Sequence, residues 1–363
     1  MPVSLAERLR ELIRREGPVT FHDWMRAALY DPAGGYYRRP HLERWGRHGD
    51  YRTSPERSEL FAATFARYFA KLYDELKRQE EWSIVECGAG DGRFAAVVLR
   101  TLSDRFPQVF ASTRYVVYEL SDDALGRARD RLSEFGERVE FYSDFEPVSA
   151  NRGVYFSNEL LDAFPVHRVV KNHDELAELY VTLDSEDSFA WSTGPLSTER
   201  LARFCHDHSL ELANGQIIEI NLAIDDWLAE VAAKLDEGFL ITVDYGEEAA
   251  QLYDAVRRPQ GSLRGFSRHE FVENVLAQPG ECDLTTTINW TQVKSAPGFK
   301  VIEFASQDRF LLNAGLLEEL EFKLKQVQTE VEKAALSAGA REMILPGGMA
   351  SSFQVLVHQK HKR

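Results

Sequence analysis

The chain has 363 residues, 44% of them hydrophobic and 28% charged, an ordinary globular composition that excludes a disordered or low-complexity protein. Its 58 Asp and Glu against 43 Lys and Arg give a net charge of −15, which disfavours a nucleic-acid partner and mildly favours a cationic acceptor. Three cysteines without close spacing exclude a disulfide framework. No secretory signal is visible, Glu7, Glu11 and Glu16 oppose a transit peptide, and no apolar run reaches the roughly 20 residues of a membrane span. The expectation is a cytoplasmic protein with no membrane partner.

In chain order, residues 1–80 read as a helical segment with one loop. In "TFHDWMRAAL", Phe21, Trp24, Met25 and Leu29 share a helical face, with Thr20 as N-cap and Asp23 completing a capping box. "SPERSELFAATFARYFAKLYDEL" places Ser54 at an N-cap and Pro55 at the first helical position, then stacks Phe61, Phe65, Phe69, Leu72 and Leu76. Seven runs rich in β-branched and aromatic residues predict strands at 83–87, 114–120, 138–142, 153–158, 238–244, 299–305 and 351–358. The first is followed by a helical face of Phe94, Val97, Val98 and Leu102, the second by one of Leu125, Ala128 and Leu132. Such alternation predicts an α/β protein, a parallel sheet with helices on both faces. Between the fourth and fifth strands, 166–194 reads as short antiparallel strands and 224–238 as a helix stopped by Gly238. A long helical stretch at 308–336 separates the last two strands.

The loop after the first strand, "SIVECGAGDGRFA", carries the most specific chemistry. Its pattern is Glu86-x-Gly88-x-Gly90-x-Gly92. A dinucleotide fingerprint needs its third glycine one residue later, and a phosphate-binding P-loop needs Lys and Ser or Thr where this chain has Arg93-Phe94. A strand-end carboxylate is a poor neighbour for pyrophosphate, yet it suits the amino group and sulfonium of S-adenosylmethionine. Glu119 ends the second strand, where a carboxylate accepts both ribose hydroxyls. Asp144-Phe145 follows the third, where a carboxylate and a backbone N–H read adenine. Nicotinamide enzymes use similar ribose and adenine readers, so the glycine spacing carries the discrimination. Each carboxylate taken alone could be a solvated strand end. Three at successive strand ends weigh against that.

With these residues in view, the chain resembles the class I methyltransferases, and nearly its whole length is similar to the MidA-like family. The resemblance rests on "WMRAALYDPAGGYYRR" (24–39), "HGDYRTSPE" (48–56), "SNELLDAFPVHR" (157–168), "VDYGEE" (243–248), "LRGFSRHEF" (263–271), "PGECDLTT" (279–286) and "LPGGMASSFQVL" (345–356). The chain departs from the family in its loop, where Gly88-Ala89-Gly90 replaces Gly-Pro-Gly. The resemblance implies a seven-stranded Rossmann-like sheet with an N-terminal helical segment and an inserted α+β subdomain. It divides the chain into 1–80 covering the cofactor, 81–165 binding it, 166–237 on the substrate side and 238–363 completing the core. It also implies S-adenosylmethionine as cofactor and a protein or peptide arginine as acceptor, since the family's mitochondrial member is an arginine methyltransferase that assists respiratory complex I assembly.

Methyl transfer is an in-line displacement that needs no metal, and alignment of the nucleophile supplies much of the rate. A guanidinium acceptor calls for a carboxylate that pairs with its fork and leaves one nitrogen free. Glu159 beside Asn158 at the end of the fourth strand is the first candidate. Asp244 at the end of the fifth is the second, and Asp162 lies one turn on from Glu159. The plain alternative makes Glu159 the cap of a helix beginning "ELLDAF". Asp50 and Thr53 are candidates for the methionine end of the cofactor. His269 and Asp283 are either a pair near the acceptor or independent surface groups. "FCHDH" (204–208) is not a metal cluster, because neighbouring ligands on one helical turn diverge. Three other readings stand beside the arginine methyltransferase. One is an assembly protein that binds the cofactor structurally and offers Trp191 and Tyr180 as a partner surface, although both also suit a small core. The others are a small-molecule methyltransferase and a nicotinamide oxidoreductase.

Overall fold

The computed structural model of the chain describes residues 3–39, 59–77, 81–148, 150–173, 175–267, 270–345 and 352–362. Two compact units interleave along the sequence. One comprises Met1–Leu42, Leu161–Leu228 and Gly246–Ser295; the other comprises Glu43–Leu160, Ala229–Tyr245 and Ala296–Arg363.

The second unit is built on the main sheet. All seven expected runs form strands: Trp82–Cys87, Thr113–Tyr118, Val139–Tyr142, Arg152–Asn158, Glu237–Glu247, Lys300–Ser306 and Phe353–Lys360. Across the sheet they lie in the order sixth, seventh, fifth, fourth, first, second, third. The first five are mutually parallel, but the seventh runs antiparallel to both the fifth and the sixth, so the sheet is mixed rather than parallel. Parallel neighbours require a crossover, whereas the connection from sixth to seventh returns at the same edge. Within the first unit, the short strand Ile288–Asn289 pairs in parallel with Gly246 and Glu247, the last residues of the fifth strand.

One face of this sheet is covered by the helices Glu59–Glu75 and Arg93–Arg105. Phe61, Phe65 and Phe69 are fully buried. The Phe65 ring lies 5.0 Å from that of Phe156 and 5.3 Å from that of Phe310, while Phe94 and Phe156 stack at 4.5 Å. Each buried ring contributes about 2–3 kcal/mol of apolar burial, so this helix is held by its packing face more than by its propensity. The stretch expected as one helix at 308–336 is three: Gln307–Ala314, Leu316–Gln326 and Glu330–Ile344. Gly315, at φ 101°, breaks the first from the second, and Thr329 with Glu332 forms a capping box for the third. The helix expected at 224–238 ends at Lys234, and Gly238 lies inside the fifth strand.

The first unit has its own five-stranded antiparallel sheet of Val19–Thr20, Glu175–Leu183, His167–Asn172, Ile217–Ile220 and Phe189–Gly194. The N-terminal segment therefore adds a two-residue strand to the helices Leu5–Glu16 and Phe21–Tyr30. Thr20 caps the second helix by accepting from the Asp23 N–H, and its own hydroxyl donates to the Asp23 carboxylate at 2.9 Å. Trp191 lies 5.0 Å from Phe21 and 4.8 Å from the Arg168 guanidinium, and the Tyr180 hydroxyl donates to Pro195 O. Both aromatics thus make contacts within this unit, although Trp191 remains 37% exposed. Arg168 is itself buried against Glu219, 3.0 Å away. Among the described residues, no helix is long and apolar enough to cross a membrane.

Candidate active site

The glycine loop departs from the first core strand at Cys87. Gly88, Gly90 and Gly92 all adopt left-handed backbone, at φ 73°, 57° and 76°. A side chain costs about 1–2 kcal/mol in that region, which explains glycine at every second position. A Cβ on Gly92 would also lie 3.0 Å from Ala128 Cβ, on the helix Asp122–Leu132. The N–H groups of Gly88 and Ala89 both donate to Tyr118 O, at 2.9 and 3.2 Å. The turn forms without proline, and Gly92 starts the helix Arg93–Arg105.

Two side chains hold this loop from outside. Glu119 accepts from Gly90 N on one oxygen and from Ser121 N on the other, both at 2.8 Å. The residue expected to read the ribose therefore also fixes the loop. Arg131 donates from Nε to Asp91 O and from Nη2 to the Asp91 carboxylate, both at 3.0 Å. The backbone is preorganised, so little ordering cost falls on ligand binding.

Glu86, expected as the acidic residue that suits a cation, is not a solvated strand end. It is 5% exposed and accepts from the Tyr115 hydroxyl at 2.7 Å. Burial pushes its pKa up to about 8; the Tyr115 bond opposes this, and the charges of Asp91 and Glu119 add to it. Asp144 is exposed and shapes a turn by accepting from Glu146 N at 3.1 Å. Phe145 is buried, its ring 5.0 Å from Tyr118 and 6.3 Å from Tyr155.

At the ends of the fourth and fifth strands, Asn158 pairs with Val243, and Glu159 N donates to Val243 O at 2.9 Å. Glu159 thus stands next to the strand position of Asp244. Its φ of 51° puts a non-glycine residue in left-handed backbone, a strain that persists only where the surroundings impose it. The Asn158 amide donates to Glu159 Oε1 at 3.0 Å, while Asn158 Oδ1 is buried without a hydrogen-bond partner. Asp244 is fully buried and accepts from Tyr245 N at 2.9 Å. Only a single 3-10 turn, Leu161–Ala163, follows Glu159, so no helix is there for it to cap. Left-handed glycine backbone, acidic side chains at three strand ends and an orphaned acceptor fit a small cationic nucleoside.

Other candidates fall elsewhere. Asp162 belongs to the first unit, where it accepts from the Thr285 hydroxyl at 2.8 Å. Asp283 is buried and accepts from Tyr37 at 2.6 Å, so it is not an independent surface group. His269, Asp50 and Thr53 lie outside the described residues. Cys205 is buried while the His206 side chain is 89% exposed, in keeping with diverging directions on one turn. Among the described residues, no group of three or more His, Cys, Asp or Glu is placed to hold a metal ion. Tyr115 and Arg131 were missed from sequence, because their partners lie 29 and 40 residues away and no spacing links them.

Comparison with known proteins places the chain. Residues 64–302 match the family described as "Putative S-adenosyl-L-methionine-dependent methyltransferase". The mouse "Protein arginine methyltransferase NDUFAF7, mitochondrial" is 24% identical over 377 residues, covering 97% of this chain and 83% of the relative. The human protein of the same name is 23% identical and covers 100% and 85%. A Burkholderia thailandensis protein solved with S-adenosyl-homocysteine superposes with a TM-score of 0.86 at 27% identity, covering 99% of this chain and 92% of that one. The fold is thus the α/β methyltransferase fold, and the expected cofactor stands. The cytoplasmic expectation is overturned, because these curated relatives are mitochondrial proteins. The chain belongs to the S-adenosyl-L-methionine-dependent methyltransferase family and is an enzyme of that class.

Proposed function

We propose that the chain methylates a guanidinium nitrogen of arginine in a protein or peptide. The carrying observation is Glu159, a carboxylate held in strained backbone beside Asn158 and Asp244 at the ends of two central strands. Strain of this kind collects at functional sites. The arginine methyltransferase names of the curated relatives support the acceptor class.

S-adenosylmethionine, when bound, supplies a methyl group on a positively charged sulfur. In this reading the glycine loop admits its backbone-hugging end, Glu86 faces its cationic part, Glu119 takes the ribose hydroxyls, and Asp144 with Phe145 receives adenine. Glu159, oriented by Asn158, pairs with the guanidinium fork, leaves one nitrogen free to attack and takes the proton that nitrogen loses. Asp244 stabilises the remaining positive charge. We read the main sheet as the seven-stranded class I sheet with one accessory strand. Most of the 166–237 segment falls in the first unit, to which we assign acceptor selection.

Cell extract incubated with enzyme and methyl-tritiated S-adenosylmethionine tests the acceptor. Label in a protein band, recovered as methylarginine after acid hydrolysis, is the expected result. Label recovered only in small molecules, lysine or carboxyl esters would overturn the reading.

Glu86 adds a pH dependence. Protonated below about 8, it must lose its proton to face a cation, so affinity for S-adenosylmethionine should rise with pH up to that point. The gain is at most about tenfold per pH unit. Calorimetric titration from acidic to mildly alkaline pH should show that slope, and Glu86→Gln should flatten it. The same shift opposes folding: the folded state holds the proton more tightly, so Glu86 costs no stability below its ordinary 4.5 and costs progressively more as pH rises to about 8.

A further inference from the structure

The Asp144–Phe145–Glu146 turn carries both residues assigned above to adenine. It follows the four-residue third strand, which among the described residues has a strand neighbour on one side only. The turn closes on itself through Asp144 and Glu146 N and through Val148 N to Phe145 O, the Phe145 ring packs on Tyr118 and Tyr155, and a further hold comes from Lys234, 88 residues away. Lys234 ends the helix Leu222–Lys234, and its Nζ donates to Glu146 O at 2.7 Å. The same ammonium stands 5.2 Å from the centroid of the Phe145 ring and 3.7 Å from Glu230, one turn back. The Lys234 side chain is 16% exposed, although the bond to Glu146 O lies at the surface and Glu230 is 46% exposed.

A basic residue in the last turn of a helix, paired with a glutamate four residues earlier, has an ordinary explanation in the helix dipole and a surface ion pair. That explanation does not require the side chain to reach across to a backbone carbonyl, nor to lie over an aromatic ring. A cation over a ring and a charge-assisted bond to a carbonyl both act on one turn.

We propose that Lys234 is a positioning residue for the adenine end of the cofactor, fixing the Asp144–Phe145–Glu146 turn in the shape that receives the base. The proposal rests on the assignment of Asp144 and Phe145 to adenine made above. Lys234 itself need not touch the cofactor; it removes the ordering cost that a loose turn would charge against binding.

The test is calorimetric binding of S-adenosyl-homocysteine and of 5′-methylthioadenosine, which lacks the amino-acid end, to wild type, Lys234→Met, Lys234→Gln, Lys234→Arg and Phe145→Ala. Lys234→Met and Lys234→Gln should weaken both ligands by the same factor, roughly tenfold, about the worth of one charge-assisted hydrogen bond. Lys234→Arg should recover most of the loss, and melting temperatures should stay near wild type. A loss confined to S-adenosyl-homocysteine would overturn the proposal, since it would place the effect at the amino-acid end. Wild-type affinity in both neutral variants, with Phe145→Ala weakened, would overturn the role of Lys234 and leave the adenine assignment standing. Wild-type affinity in Phe145→Ala as well would remove the adenine assignment and the proposal with it.

Discussion

Gly153→Ala is expected to leave no folded protein. Gly153 lies in the fourth core strand between the first and the fifth, at φ 145°, in a region that L side chains rarely adopt. A Cβ there would sit 1.8 Å from Ser83 O and 2.8 Å from Ser83 C. Its register partner Gly238 is in the same state, at φ 147°, and a Cβ on it would sit 2.1 Å from Gly153 O. The obstacles are backbone atoms of neighbouring strands, so no rotamer change relieves the clash. Moving either strand would disturb the ladders that carry both the glycine loop and the Asn158–Glu159 corner. The cost is several kcal/mol, comparable with the 5–15 kcal/mol total stability of a domain. Gly136→Ala is the control: its φ of 55° carries strain, but nothing lies within 4 Å of an added Cβ. Its ψ of −137° lies outside the left-handed helical well, so the loss should be about 1–3 kcal/mol, still short of that of Gly153→Ala. Circular dichroism and urea denaturation distinguish the two. A Gly153→Ala protein with wild-type stability would refute the close approach of these strands.

Gly238 also shows where the sequence was readable and where it was not. It looked like a helix stop because it follows an amphipathic run and precedes an apolar one. The helix ends at Lys234, and the glycine is there because Gly153 approaches it, a fact about a strand 85 residues earlier. The core strands themselves were legible. Ile84 and Val85, or Phe239, Leu240, Ile241 and Val243, are buried, and such runs read as continuous apolar stretches. The direction of the last strand was not legible, because period-2 patterning is the same in either direction. The loop glycines were readable as a spacing, and their left-handed backbone accounts for it. Glu86 and Glu119 could be placed at strand ends, but their partners could not. Tyr115 gives no local signal that it faces Glu86, and burial, which decides the charge of Glu86, belongs to the assembled sheet. Glu159 was a candidate from its strand-end position alone. Its left-handed backbone is invisible in "SNELLDAF", where a capped helix is the local preference, and tertiary contacts overrule that preference.

Glu159→Gln should abolish methyl transfer while leaving cofactor binding intact. Glutamine keeps the length of the side chain and tolerates the same backbone about as well as glutamate, so the corner beside Val243 should persist. It loses the charge that pairs with a guanidinium, worth about 1.5–3 kcal/mol in a charge-assisted bond, and it can no longer accept the proton. Proton acceptance in the transition state typically contributes 10²–10⁴-fold, so a fall in kcat of at least about a hundredfold is expected. Asn158→Ala should fall less, since it removes only the amide that orients Glu159. Glu159→Gly is the informative companion. It relieves about 1–2 kcal/mol of left-handed strain, offset in part by chain entropy, so its stability should match or exceed wild type while its activity falls as far as that of Glu159→Gln. A side chain retained for packing would show the opposite, a less stable protein with activity to match its folded fraction. Turnover of Glu159→Gln within a factor of about two of wild type, measured with the labelled acceptor, would remove Glu159 from the chemistry and leave Asp244 to carry the guanidinium.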